Sequence, residues 1–154
     1  MKKTLLIIAI FLLLGIILGV LGAAFIILVS PGQYDYSYDI VNNFELIRSS
    51  AHDITIIPKD RYSTENEIIP TKVVEVAWNN RYVIAKQYGM KKAYPEEADN
   101  TYEIPDETVV NYWILDTENK ERYGPFSYEE FSTKLQEFNL TNLQLKPVTE
   151  YRKE

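Results

Sequence analysis

TKVVEVAWNNRYVIAKQY (residues 71–88) sets two runs rich in β-branched and aromatic residues on either side of Asn79-Asn80. Residues 71–78 and 81–88 each read as a strand, because such side chains suit an extended backbone. Asparagine tolerates positive φ better than most residues, and a two-residue type I′ turn needs it at both central positions. The stretch therefore predicts a β-hairpin closed by Asn79-Asn80, and with it an antiparallel sheet.

Upstream, YDYSYDI (residues 34–40) alternates strictly, with Tyr34, Tyr36 and Tyr38 on one face and Asp35, Ser37 and Asp39 on the other. A period of two marks a half-buried strand. Its tyrosines are either an aromatic ligand platform, an interfacial belt, or the cover of one side of a small core. Asn42-Asn43 marks a turn, residues 44–49 a second strand, residues 52–58 a third, and residues 59–66 a polar loop.

Downstream, residues 89–108 carry Lys91-Lys92, the run Glu96-Glu97-Ala98-Asp99-Asn100, and Pro95 and Pro105, without clear periodicity. They predict a long irregular section, either functional or mobile. Residues 109–117 (VVNYWILDT) resume as a strand, which returns through Glu118-Asn119-Lys120 to a partner over residues 121–123, ended by Gly124-Pro125. Ser127 then stands as an N-cap with Glu130 at the capping-box position. Phe126, Phe131, Leu135 and Phe138 supply the buried stripe of a helix over residues 128–137. A short strand over residues 143–146 and a frayed tail over residues 149–154 complete the reading. The expected fold class is mainly β (α+β), a small antiparallel β-meander with one helix toward its C-terminal end. With 13% aromatic residues, twelve of them tyrosines, the domain is too rich in ring surface for a disordered stalk.

The chain begins with Met1-Lys2-Lys3 and an uncharged apolar run over residues 4–29. Roughly 26 residues at ~1.5 Å rise make a helix of ~39 Å, longer than the ~30 Å hydrocarbon core of a bilayer. Such a segment pairs its backbone groups internally as a helix. Lys2 and Lys3 precede the run and the first charges after it are Asp35 and Asp39, which orients it with the N-terminus cytoplasmic. The expected organisation is a cytoplasmic end (residues 1–3), a signal-anchor helix (4–29), a linker (30–33), an extracytoplasmic domain (34–148) and a tail (149–154). The rival is a cleaved secretory signal and a secreted domain. Its apolar region is shorter, ~7–15 residues, and a cut after Gly22-Ala23-Ala24 leaves Phe25-Ile26-Ile27-Leu28-Val29 as an apolar new terminus. Gly15, Gly19 and Ala23 form a small-residue stripe that suits pairing with another membrane helix, of this chain or of a membrane-protein partner.

Charge and composition narrow the partners. Net charge is −6, and −8 once Lys2 and Lys3 are set aside, which disfavours nucleic acid. The bilayer, reached through the N-terminal helix, is the expected contact. Zero cysteines exclude a disulfide scaffold, a thiol nucleophile and a lipid-modified cysteine. One histidine and no cysteine cannot furnish the usual zinc ligands, so no metal and no cofactor is expected. Glu96, Glu97, Asp99 and Asn100 lack the glycine and final glutamate of a calcium loop and read as a solvated charge cluster. Ser49-Ser50-Ala51-His52-Asp53 holds nucleophile, base and acid together, but neighbours along a strand or turn point apart, so a polar turn is the reading. Asn139-Leu140-Thr141 has the pattern of a glycosylation acceptor. No glycine-rich phosphate loop is present.

Three segments carry a resemblance: IPTKVVEVAWNNRYVIAKQ (residues 69–87), YWILD (112–116) and YGPFS (123–127). Together they resemble an uncharacterised family of small exported bacterial domains, anchored by a lipoprotein signal or an N-terminal helix, over most of residues 34–146. The resemblance implies a β-rich fold and an extracytoplasmic location and carries over no catalytic residue. YGPFS leading into a helix also resembles the turn of GYF domains, which bind proline-rich peptides. Here Glu137-Phe138-Asn139-Leu140 stands where the Gly-Tyr-Phe triplet belongs, so the shared feature is turn geometry.

The expected function is that of a non-catalytic, membrane-anchored envelope module that binds a ligand or partner. Its expected contacts are Tyr34, Tyr36, Tyr38 and Trp113, with the section over residues 89–108. Two alternatives remain: a carboxylate enzyme acting on an envelope polymer through that section, and a structural accessory of another membrane protein.

Overall fold

Residues 35–60 and 68–151 are described by a computed structural model of the chain, within one unit spanning Tyr34–Glu154. The expected membrane helix with Gly15, Gly19 and Ala23, the linker and Tyr34 lie outside the described residues. Among the described residues no helix is long and apolar enough to cross a membrane.

β1 (Tyr36–Asp39), β2 (Phe44–Arg48) and β3 (Ile54–Pro58) form a three-stranded antiparallel sheet in chain order. β4 (Val73–Trp78), β5 (Tyr82–Lys92), β6 (Glu103–Asp116) and β7 (Glu121–Phe126) form a second meander. The two-residue β8 (Lys146–Pro147) pairs on the free side of β4, giving the order β7-β6-β5-β4-β8. Among the described residues the mainly β, antiparallel fold with one α-helix is thus observed, but as two sheets rather than one meander.

The second sheet is buried on both faces. Val73, Val76, Val83, Ala85, Trp113 and Leu115 pack with Phe44, Leu46, Ile54, Ile56 and Ile69 from the first sheet's side. Ala77, Ile84 and Ile114 point the other way and pack with Phe131 and Leu140 under α1 (Tyr128–Glu137). Double burial accounts for VVEVAW and YVIA reading as nearly continuous apolar runs instead of clean alternation. Each fully buried Ile, Leu or Val contributes about 1.5–3 kcal/mol to the core.

α1 forms where its sequence predicts. The Glu130 amide donates to Ser127 Oγ at 3.3 Å, and the Ser127 amide donates to Glu130 Oε2 at 2.8 Å, completing a capping box. The Ser127 amide and hydroxyl hold the Glu130 carboxyl below its ordinary range. Phe131 is buried, with Phe126, Leu135 and Phe138 packed around it. Ser127→Ala is expected to cost about 1 kcal/mol, read as a lower urea midpoint with an unchanged m-value.

The turn expected at Asn42-Asn43 is observed there, and the two Asn-Asn pairs close their turns by different mechanisms. The pair at Asn42 (φ 49°) and Asn43 (φ 66°) adopts positive φ at both positions, with the Phe44 amide bonded to the Val41 carbonyl at 3.1 Å. In the hairpin, Asn79 instead accepts the Arg81 and Tyr82 amides on its own Oδ1, at 2.9 and 2.8 Å. That side-chain turn needs no left-handed residue. It centres the loop on Asn80-Arg81, correcting the predicted type I′ turn at Asn79-Asn80.

Residues 89–108 are not a long irregular section. β5 continues to Lys92 and β6 begins at Glu103, so the hairpin extends outward and only residues 93–102 form its tip. The ladder passes from Tyr88↔Val110 to Gly89↔Asp106, leaving Glu107, Thr108 and Val109 as a bulge on β6. A Cβ on Gly89 would lie 2.8 Å from Val109 Cβ, so the glycine makes room for that bulge. β7 likewise runs through Gly124-Pro125, where the sequence predicted its end. Of the expected tail over residues 149–154, the described part is not frayed: Val148–Tyr151 form a 3-10 turn whose Tyr151 packs against the core.

Candidate ligand-binding groove

Tyr38 on β1, Trp78 at the end of β4 and Tyr151 in the 3-10 turn bring their rings together. The centroids of Trp78 and Tyr151 are 4.9 Å apart, those of Tyr38 and Tyr151 5.3 Å, and those of Tyr38 and Trp78 6.0 Å. All three are half-buried against the first core. The Tyr151 hydroxyl donates to the Val76 carbonyl at 3.2 Å, and the Tyr36 hydroxyl donates to the Val148 carbonyl at 3.1 Å. These bonds fix the 3-10 turn over the β1–β4 corner. Burial, and then the nearby Glu150 carboxylate, push the Tyr151 phenol above its ordinary range, so it stays a neutral donor.

Beside the rings lies an open groove of about 340 Å³, lined by Ala77, Trp78, Asn142, Leu143, Gln144, Lys146 and Tyr151. Its β4 wall is Ala77 and Trp78, at the strand edge that β8 leaves uncovered. The Asn79 amide bonds to the Tyr82 carbonyl at 3.0 Å, so Asn79 and Tyr82 face each other as a bonded pair. Bonded and non-bonded pairs alternate along an antiparallel ladder. The Trp78 amide and carbonyl therefore point away from β5. β8 covers Glu75 and Val76 on that side and stops there, so the Trp78 backbone faces the groove one pleat beyond the last paired position. The side chains around it are neutral amides and one ammonium, Lys146, which lies 4.0 Å from Glu150.

The expected contacts separate. Tyr36 and Tyr38 sit together on the core side of β1, and Tyr38 packs behind the Trp78 and Tyr151 rings without lining the groove itself. Trp113 does not line it either. It is 5% exposed, its indole Nε1 donates to Gln87 Oε1 at 2.8 Å, and the Arg122 guanidinium lies 4.6 Å over its ring. Trp113 is therefore a core residue, because the odd-numbered side of β6 faces the first sheet. Trp78 and Tyr151 were missed as contacts. The available signal was an aromatic residue in a supposed tail, just past a proline.

The remaining candidates for chemistry are occupied locally. A cleft of about 460 Å³ holds Ser50, Ala51, His52, Asp53, Thr71, Met90, Tyr102 and Glu103. Within it the Ser50 hydroxyl oxygen accepts the His52 and Asp53 amides at 3.2 and 3.0 Å, and Ser49 donates to the Asp53 carboxylate. The Thr71 hydroxyl donates to the His52 carbonyl at 2.8 Å, and Lys72 donates to the Ala51 carbonyl. The segment is the polar turn its sequence suggested. At the hairpin tip Asn100 donates to Glu97 at 2.9 Å and accepts the Tyr102 amide at 2.9 Å. Among the described residues no three His, Asp or Glu side chains are grouped to hold a metal ion.

Residues 41–149 match a family described as a protein of unknown function (DUF3997). No curated protein and no solved structure matches the chain at a significant level.

Proposed function

Since the chain belongs to the DUF3997 family of proteins of unknown function, its role is argued from its own residues, and we propose that it is a non-catalytic binding module held at the outer face of a membrane. The apolar run over residues 4–29, preceded by Lys2 and Lys3, supports the tether and its orientation. The groove supports the binding role, and the observation that carries it is the meeting of Tyr38, Trp78 and Tyr151 beside an unfilled strand edge. Rigid aromatic surface next to backbone and amide hydrogen-bonding groups is what a specific ligand site requires. The groove's lining contains no carboxylate, which supports binding over acid–base chemistry there.

The test is retention of the full-length protein, in lipid nanodiscs, on delipidated cell-envelope polymer. Wild type is expected to be retained, and Trp78→Ala to weaken retention about tenfold, equal to ~1.4 kcal/mol. Equal retention of the two proteins would remove the groove from the binding role.

A further inference from the structure

We infer that the groove takes a glycan carrying N-acetylated amino sugars, with the acetamido group seated on the Trp78 backbone and the sugar's apolar face against the Trp78 and Tyr151 rings. This rests on the binding role proposed above and names its ligand class. Three features point to it.

The first is that the open strand edge is one residue long. β4 ends at Trp78, β8 already covers Glu75 and Val76, and the Ala77 backbone is turned toward β5. A peptide adding as a strand gains its affinity from a row of main-chain bonds, and here it finds a single donor–acceptor pair. An acetamido group needs one pair only: its carbonyl accepts the Trp78 amide and its N–H donates to the Trp78 carbonyl.

The second is the ring surface. Pyranose C–H groups are weakly polarised and pack on the electron-rich faces of aromatic rings, as other partially positive groups do. Trp78 and Tyr151, tilted by 43° to each other, offer adjoining half-buried surfaces at the same end of the groove. The third is charge. Asn142 and Gln144 provide neutral donors and acceptors suited to hydroxyls, and Lys146 is balanced by Glu150. Nothing in that lining selects a strongly charged ligand.

The chain carries two tryptophans, Trp113 in the core and Trp78 at the groove, so ligand-induced change in indole emission reports on Trp78. The experiment titrates the full-length protein in nanodiscs with β-1,4-linked N-acetylglucosamine tetramer and with the matched glucose tetramer, which has a hydroxyl in place of each acetamido group. Emission and calorimetry are both read. The acetylated tetramer is expected to bind at least tenfold more tightly than the glucose tetramer, and Trp78→Ala and Tyr151→Ala each to reduce its calorimetric affinity about tenfold. Tyr151→Phe keeps the ring and gives up only the bond to Val76, and is expected to keep most of the affinity. A loss as large as that of Tyr151→Ala overturns the role of the ring face in favour of the position of the turn. Equal binding of the two tetramers overturns the acetamido assignment. Binding of neither, with Trp78-dependent retention on envelope polymer intact, overturns the glycan class and leaves the binding role standing. Tighter binding by an extended valine-threonine hexapeptide overturns it in favour of strand addition.

Discussion

Asp116→Ala is expected to destabilise the domain by about 3 kcal/mol. Asp116 is 1% exposed at the end of β6. Its carboxylate accepts Arg81 Nη2 at 2.6 Å and Nε at 3.1 Å, the Glu118 and Asn119 amides at 3.1 and 3.2 Å, and Asn119 Nδ2 at 2.9 Å. One side chain thus closes the β6–β7 turn and ties it to the β4–β5 hairpin. The Arg81 side chain is 40% exposed and can return to water, which keeps the loss toward the lower end of that for a broken buried pair. Burial alone would raise the Asp116 pKa, but the Arg81 bond and the Asn119 and Glu118 amides more than offset it, and the carboxyl sits below its ordinary range. A folded-state value below the unfolded ~3.9 means a contribution fully present above that pH and lost as pH falls through the folded value. Urea titrations between pH 7 and 2.5 should show wild type losing stability on the acid limb and the alanine variant losing less. A variant with wild-type stability at pH 7 would show that the turn closes without the carboxylate.

Gly124→Ala is expected to be the most damaging single methyl in the described chain, costing about 4 kcal/mol. Gly124 has φ +124°, a conformation that side-chain-bearing residues rarely adopt. A Cβ there would lie 2.7 Å from the Tyr112 carbonyl oxygen and 2.9 Å from Trp113 Cε3. Neither neighbour yields easily, since one is backbone in the β6 ladder and the other belongs to a buried indole held by Gln87 and Arg122. The measurement is the urea midpoint together with near-ultraviolet circular dichroism, which should show a perturbed tryptophan environment. A midpoint within error of wild type would mean that β7 shifts to admit the methyl.

The sequence made some elements legible and concealed others for identifiable reasons. α1 was readable because its signals are local: a serine cap, a glutamate three residues on, and an apolar stripe at helical spacing. The β4–β5 hairpin was readable from composition, but its turn was not. Two identical Asn-Asn pairs close turns in different ways, depending on whether the first side chain can fold back onto the following amides, as that of Asn79 does. The outward extension of β5 and β6 was hidden by Gly89, Pro95 and Pro105. Pro105 sits inside the ladder opposite Met90, and the three-residue bulge breaks the alternation by which a strand is recognised. Of the expected contacts, Tyr38 supports the Trp78 and Tyr151 rings from β1 and Trp113 lies in the core, on the face of β6 that the first sheet covers. The groove itself was not legible. Its rings come from β4 and the 3-10 turn, backed by Tyr38 from β1, and no pattern along the chain announces that these meet.

The bond from Tyr36 to Val148 spans 112 positions, while the meander from β4 to β7 is built from neighbours in sequence. Contacts between near neighbours form quickly, and contacts that close long loops form slowly. Both tryptophans join the two classes of contact: each sits in the local ladder and packs with distant segments, Trp113 with Phe44 and Leu46 and Trp78 with Tyr38 and Tyr151. The two ends of the domain are thus held by the same few long-range contacts, and loosening the 3-10 turn would free β1 and the end of β4 together.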